Sequence, residues 1–238
     1  MTLPLFFVDT LPPGDRFRLD GAEGHHAADV QRLRPGERLL LGDGRGGIAC
    51  AEVAAAGRGF LDLAVSERRF APAPSPRLVV AQAIAKGDRG ELAVQAMTEA
   101  GVDEIVPWAA ARSVAQWRGE RGDRSLDRWR ATAREAAKQA RRAWLPVVTP
   151  VASTVDLCRH GVHLVLHGEA GTRVSTVDLP STGEIVVVVG PEGGIAPEEL
   201  AAFESAGAVA VRLGPEVLRT STAGVSALAV LSARLGRW

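Results

Sequence analysis

Five β-branched residues, Ile185 to Val189, run straight into Gly190-Pro191-Glu192-Gly193-Gly194-Ile195, and a helix signal follows at once. Pro197 suits a first helical turn, Glu198 and Glu199 sit near its positive end, and Gly207 stands after it. Ala196 is a poor N-cap, which the sequence leaves unexplained. A buried strand, a glycine loop and a helix in that order place backbone N–H groups at the carboxyl edge of a parallel sheet, where open α/β folds bind ligands. Glycines without Cβ let a flat ligand approach the main chain. Two further loops leave strand ends in the same manner. One is Leu213-Gly214-Pro215-Glu216-Val217-Leu218-Arg219-Thr220-Ser221-Thr222-Ala223, after a strand Val209 to Leu213. The other is His167-Gly168-Glu169, after a strand Val162 to Leu166. Three such loops suffice to wrap one adenosine-sized ligand.

The rest of the chain divides at Ala71-Pro72-Ala73-Pro74-Ser75-Pro76, where alternating prolines continue neither helix nor central strand. Before this seam, short apolar runs alternate with turns. Strands are expected at Leu3 to Val8, Arg38 to Leu41, Ile48 to Val53 and Phe60 to Val65, with a short helix at Ala22 to Leu33. Closely spaced strands with glycine turns suggest a small β-barrel or sandwich. After the seam, strands and helices alternate, which implies a mostly parallel α/β sheet. Strands are expected at Leu78 to Ile84 and Val102 to Val106. A helix capped by Asp88 and Glu91 should run to Ala100 and stop at Gly101. Longer helices are expected at Ser125 to Ala143 and Thr222 to Leu235.

Several function classes lack their signatures. With 28 basic and 28 acidic residues, the chain carries no uniform basic coat. Its longest strong apolar run is five residues, far short of the ~20 that span a bilayer. The N-terminal MTLPLFFVDT has no basic start and reads as no signal peptide. Two cysteines, Cys50 and Cys158, make no disulfide framework and suit a reducing cytoplasm. Gly42-Asp43-Gly44-Arg45-Gly46-Gly47 matches a dinucleotide fingerprint, but a strand rather than a helix follows, so a hairpin turn is the better reading. Cys158, His160, His163 and His167 cluster, yet strand alternation sends His160 to the face opposite His163 and His167, and no metal is expected. No G-x-S-x-G, Walker or H-E-x-x-H motif occurs.

Charge is uneven locally. Between Arg112 and Arg142 there are ten basic residues against four acidic ones, an excess of six in 31 residues. Arg112, Arg128, Arg134, Lys138 and Arg142 are the candidates for a phosphate-binding stripe, against a solvated helix laced with i,i+4 pairs. Trp117, Trp129 and Trp144 offer base-stacking faces, or else belong to the core.

The pair GPEGG and LGPEVLRTSTA resembles the carboxyl-terminal signature of the RsmE family, the 16S ribosomal RNA uracil-N3 methyltransferases of the SPOUT superfamily. The likeness extends along the chain. The FFVD start and the His-His…Leu-Arg-Pro-Gly-Glu stretch resemble that family's PUA-like barrel. Lys86-Gly87-Asp88-Arg89, Gln95, Glu99-Ala100-Gly101-Val102 and Pro107 resemble its central block, and Arg112-Ser113-Val114 and Glu135-Ala136-Ala137-Lys138-Gln139 two more. Many members carry Glu where this chain has Ser221, so no acid or base role is carried over to that position.

The resemblance implies an α/β fold: a SPOUT-type trefoil-knotted parallel sheet with helices on both faces (77–238), after a small PUA-like, RNA-binding β-barrel (1–70). It implies S-adenosylmethionine held by Leu166, His167 and Gly168, by Gly190, Pro191, Glu192, Gly193, Gly194 and Ile195, and by Leu213, Gly214, Val217, Leu218 and Thr220. Arg219 is the candidate catalytic residue, as a cation that stabilises a developing uracil anion, with a structural pairing to Glu192 or to a partner subunit as the other reading. Partners would be ribosomal RNA of the small subunit and a second copy in a homodimer, in the cytoplasm, with no membrane and no metal. Rival readings are a SPOUT enzyme acting on a ribose 2′-oxygen or another base, a non-catalytic RNA-binding module, and a Rossmann-type adenine-nucleotide enzyme.

Overall fold

The computed structural model describes residues 3–238. Met1 and Thr2, the start of the segment weighed above as a leader, lie outside the described residues. The chain forms two units, one of residues up to Ala73 with Ala137–Leu145, the other of Pro74–Ala136 with Pro146–Trp238.

In the first unit, β1 (Leu5–Phe7), β2 (Arg16–Leu19), β3 (Arg38–Gly42), β4 (Gly47–Gly57) and β5 (Phe60–Phe70) form one sheet in the order β1-β3-β4-β5-β2. Only β1 and β3 pair in parallel. The glycine-rich stretch between β3 and β4 is a turn, in which the Asp43 carboxylate accepts from the amides of Arg45 and Gly47 at 2.7 and 2.9 Å. The helix expected at Ala22 is α1 (Gly21–His25), which widens into a π-helical turn over His26–Val30. Phe6, Leu39, Leu41, Leu61 and Leu63 make the core. Residues 137–145 complete this unit: Ala137 packs with Leu5, Phe7 and Ile48, and the Trp144 indole donates to the Ala71 carbonyl at 2.9 Å.

The second unit runs β6 (Arg77–Ala83), α2 (Arg89–Glu99), β7 (Glu104–Trp108), α3 (Gly119–Gln139, whose last turn belongs to the first unit), β8 (Val147–Val148), α4 (Thr154–His160), β9 (Leu164–Leu166), β10 (Thr172–Arg173), β11 (Glu184–Val189), α5 (Pro197–Ser205), β12 (Val209–Arg212) and α6 (Thr220–Arg234). The sheet order is β10-β12-β9-β11-β6-β7-β8, and every pairing is parallel. The continuous apolar strands are covered on both faces, as such strands require. Leu78 and Val80 of β6 with Ile185, Val187 and Val189 of β11 meet α2, α3 and α6. Val79, Ala81, Val186 and Val188 meet Leu157 of α4 and Phe203 of α5. Among the described residues no helix is long and apolar enough to cross a membrane.

Three local expectations give way. Asp88 has helical backbone angles (φ −75°, ψ −3°) and no capping bond from its side chain, while Glu91 lies 3.6 Å from Arg128 instead. The long helix opens at Gly119 rather than Ser125 and closes where Arg141 takes a left-handed φ of 52°. His160 ends α4 rather than standing on a strand, so the alternation argument does not apply to it.

Candidate active site

Because β12, β9, β11 and β6 are parallel neighbours, the loops that leave them share one sheet edge. A cavity of about 580 Å³ opens there, within the usual range for small-molecule sites. Leu166, His167 and Gly168 form one wall, and Gly190, Pro191, Glu192, Gly194 and Ile195 another. Val217, Leu218, Arg219 and Thr220 close the third. An adjoining cavity of about 110 Å³ takes in Leu213 and Gly214 and shares Leu166, His167 and Gly168.

Local chemistry explains the shape of each wall. Gly194 has a φ of +74°, and its amide donates to the Pro191 carbonyl at 2.9 Å, closing a tight turn that a side chain would strain. A Cβ on Gly168 or Gly194 would meet nothing within 4 Å, so these positions present bare backbone to the cavity. Ala196 precedes α5 without a capping side chain, but the Glu199 carboxylate reaches back to its amide at 3.3 Å. The same buried carboxylate accepts from the Ala111 amide and the Thr154 hydroxyl, both at 2.9 Å. Glu199 thus answers the missing cap and anchors the loop after β7.

That loop carries Arg112 to the cavity. Arg112 lines it, and its guanidinium reaches the Gly193 carbonyl at 3.4 Å. Arg89, at the start of α2, also lines the cavity and stands 3.4 Å from Glu192, whose carboxylate additionally accepts from the Lys86 amide at 3.3 Å. Glu192 is therefore engaged by Arg89 and not by Arg219. Among the described residues the Arg219 guanidinium has no ion pair. Three arginines converge on one cavity, and motif reading found only Arg219 as a cavity cation. The KGDR block was the available signal for Arg89, since it follows β6 at the same edge.

Ser221, on the first turn of α6, is buried and does not line the cavity. The expected basic stripe divides. Arg128 and Arg134 are exposed on α3. Lys138 is 7% exposed and its ammonium lies 3.0 Å from Glu23, inside the first unit. It is a buried ion-pair partner and not a phosphate contact. Arg142 is half-buried in the turn after α3. The tryptophans are structural: Trp129 is buried in a T-shaped pair with Trp117 at 4.8 Å, and Trp144 is tied to Ala71. His160 pairs with Glu184 at 3.1 Å, the Val186 amide donates to His163 Nδ1 at 3.3 Å, and burial pushes the Cys158 thiol up from its ordinary pKa.

Residues 72–232 match the family model described as an RNA methyltransferase domain, and residues 19–66 match an RNA methyltransferase PUA domain. The ribosomal RNA small subunit methyltransferase E of Mycobacterium bovis is 50% identical over 247 aligned residues, covering 100% of this chain and 94% of that one. The chain belongs to the RsmE family of RNA methyltransferases. Another family member, from Bacillus subtilis, is 29% identical over 91% of this chain and 89% of its own. Among solved structures, the RsmE of Neisseria gonorrhoeae bound to S-adenosyl methionine superposes with a TM-score of 0.87 at 26% identity, covering 98% of each chain. A Legionella pneumophila protein solved in complex with the same cofactor gives 0.86 at 26% identity, again over 98% of each. The parallel sheet with its helices, the PUA match and these RsmE neighbours agree with the SPOUT-type fold implied by the sequence motifs.

Proposed function

We propose that this RsmE-family methyltransferase transfers a methyl group from S-adenosylmethionine to uracil N3 in 16S ribosomal RNA of the small subunit. The observation that carries the reading is the cavity itself: three loops from adjacent parallel strand ends, walled by bare backbone at Gly168 and Gly194 and rimmed by Arg89, Arg112 and Arg219. That wall fits a flat adenine, recognised by main-chain amides and carbonyls. When bound, the cofactor supplies an electrophilic methyl group on a sulfonium. The chain's own part is positioning and charge. N3 must lose its proton to solvent before it becomes a good nucleophile, and the Arg219 guanidinium, which has no ion pair among the described residues, stabilises the negative charge left on the uracil ring. Arg112, Arg128 and Arg134 hold phosphates of the RNA, a role that positions without reading sequence.

The small β-barrel (1–70) serves as the RNA-binding domain and 77–238 as the methyltransferase domain, threaded as a trefoil knot. The exposed Val217, 93% accessible beside Leu218 at the cavity lip, supports a homodimer in which a second copy covers these side chains. The place of work is the cytoplasm, where small subunits assemble.

The test is incubation of the purified protein and S-adenosylmethionine with small subunits and with naked 16S RNA, followed by digestion to nucleosides and mass spectrometry. N3-methyluridine is the expected product. A 2′-O-methyl nucleoside, another methylated base, or RNA bound but unmethylated would each replace the proposal with one of the rival readings.

A further inference from the structure

Gln82 lies in β6 between Ala81 and Ala83 and is fully buried (0% exposed). By strand alternation it shares a face with Leu78 and Val80, the face covered by α2 and α6. Its amide nitrogen donates to the Thr220 hydroxyl at 3.0 Å and lies 3.2 and 3.4 Å from the carbonyls of Ala83 and Thr220. The Thr220 hydroxyl in turn donates to the Gly190 carbonyl at 2.8 Å. A hydroxyl has one proton. Since that proton goes to Gly190, Thr220 must accept from Gln82, which fixes the amide orientation: turned over, the amide oxygen would face three acceptors. The order is therefore Gln82 to Thr220 to Gly190, across 138 residues of chain and three strand ends.

Gly190 and Thr220 both line the cavity, on opposing loops. Gln82 does not line it, and among the described residues its own Oε1 has no hydrogen-bond partner. A buried bare acceptor costs stability, so the side chain is not explained as a stabiliser of the sheet. We propose that Gln82 is a positioning residue, which through the Thr220 hydroxyl holds the Gly190 carbonyl and so sets the spacing of the two loops that grip the cofactor. The inference rests on the assignment of this cavity to S-adenosylmethionine.

The experiment compares the full-length wild type, Gln82→Met, Thr220→Val and the double variant by calorimetric titration with S-adenosylmethionine and by thermal melting. Methionine keeps the length of the side chain and removes both the donor and the bare acceptor. Gln82→Met is expected to melt at or above the wild-type temperature while its dissociation constant rises about tenfold, the size of one lost hydrogen bond. Thr220→Val is expected to lose at least as much, and the double variant no more than Thr220→Val alone, because the two act as one unit. A purely structural Gln82 would move melting temperature and affinity together. Wild-type affinity in Gln82→Met, losses that multiply in the double variant, or failure of both Gln82→Met and Gln82→Leu to fold would each overturn the proposal. Failure of the cavity assignment looks different: the wild type would not bind the cofactor, or Gly168→Trp, which fills the cavity, would bind it undiminished.

Discussion

The Arg112 carbonyl oxygen stands 3.2 Å from the point where a Cβ on Gly193 would sit, and the Arg112 guanidinium turns back toward the Gly193 carbonyl. The glycine loop after β11 and the loop after β7 therefore support each other without an intervening side chain at position 193. A larger residue there has to push backbone, which cannot yield as the end of a flexible side chain does. Gly193→Val is expected to weaken S-adenosylmethionine binding about tenfold, an overpacking cost of roughly 1–3 kcal/mol taken up by the two loops. Titration against the wild type checks it, and unchanged affinity would mean that the Arg112 loop is not part of the site.

Glu199 holds three groups at once, the amides of Ala111 and Ala196 and the hydroxyl of Thr154, and Thr154 also accepts from the Trp108 indole at 3.1 Å. Glu199→Ala leaves these donors buried or half-buried without an acceptor. Its unfolding free energy should fall by about 3 kcal/mol, and Glu199→Gln by less, since an amide oxygen can still serve Ala111 and Thr154. Urea denaturation followed by tryptophan fluorescence measures the difference.

Lys138 is the residue for which location reverses the expectation from charge. Removing its ammonium takes a close cationic partner from the Glu23 carboxylate, 17% exposed, so Lys138→Met should cost about 3 kcal/mol of stability. RNA affinity per folded molecule should not change, whereas Arg128→Ala should weaken RNA binding and flatten its salt dependence by about one unit of slope. Equal salt slopes for Arg128→Ala and the wild type would remove Arg128 from the RNA surface.

Much of the fold was legible because it rests on short-range pattern. The central runs Leu78–Ala81 of β6 and Ile185–Val189 of β11 are apolar because both faces are covered, and the loops after β9, β11 and β12 announce themselves by a glycine within two residues of the strand end. What was not legible depends on partners far away in the chain. Nothing near Gln82 points to Thr220, and nothing near Glu199 points to Ala111. The spacing of Asp88 and Glu91 fitted a capping box, yet the pairing with Arg128 draws Glu91 elsewhere. Strands of two to four residues, β2, β8 and β10, are too short to carry a period, and α4 was hidden behind a histidine pattern that read as strand.

The Ser153–Asp156 pair at the start of α4 predicts an acid-sensitive step. The Ser153 hydroxyl, and then its amide, donate to the Asp156 carboxylate at 2.6 and 3.0 Å and hold its pKa below the ordinary 3.8. A carboxylate depressed in the folded state stabilises it above the unfolded value, and that contribution disappears as pH falls through the folded value. The stability gap between wild type and Asp156→Ala should be full at pH 5 to 7 and narrow below about pH 4, read by denaturation across that range. A gap that widens with acid would reverse the sign and refute the assignment.

The nine residues from Ala137 to Leu145 give the first unit an unusual pedigree. The polypeptide leaves it after Ala73, returns at Ala137 and leaves again after Leu145, so the boundary is crossed three times. Ala137 fills its core, and Trp144 clasps Ala71. A gene fragment ending at the proline seam would encode a unit lacking part of its own packing, and a protease cut at that seam would leave the severed piece still clasped by residues from the other fragment. The first unit is thus not an interchangeable cassette: recombination that moves it to another scaffold has to bring along a splint from the middle of the chain.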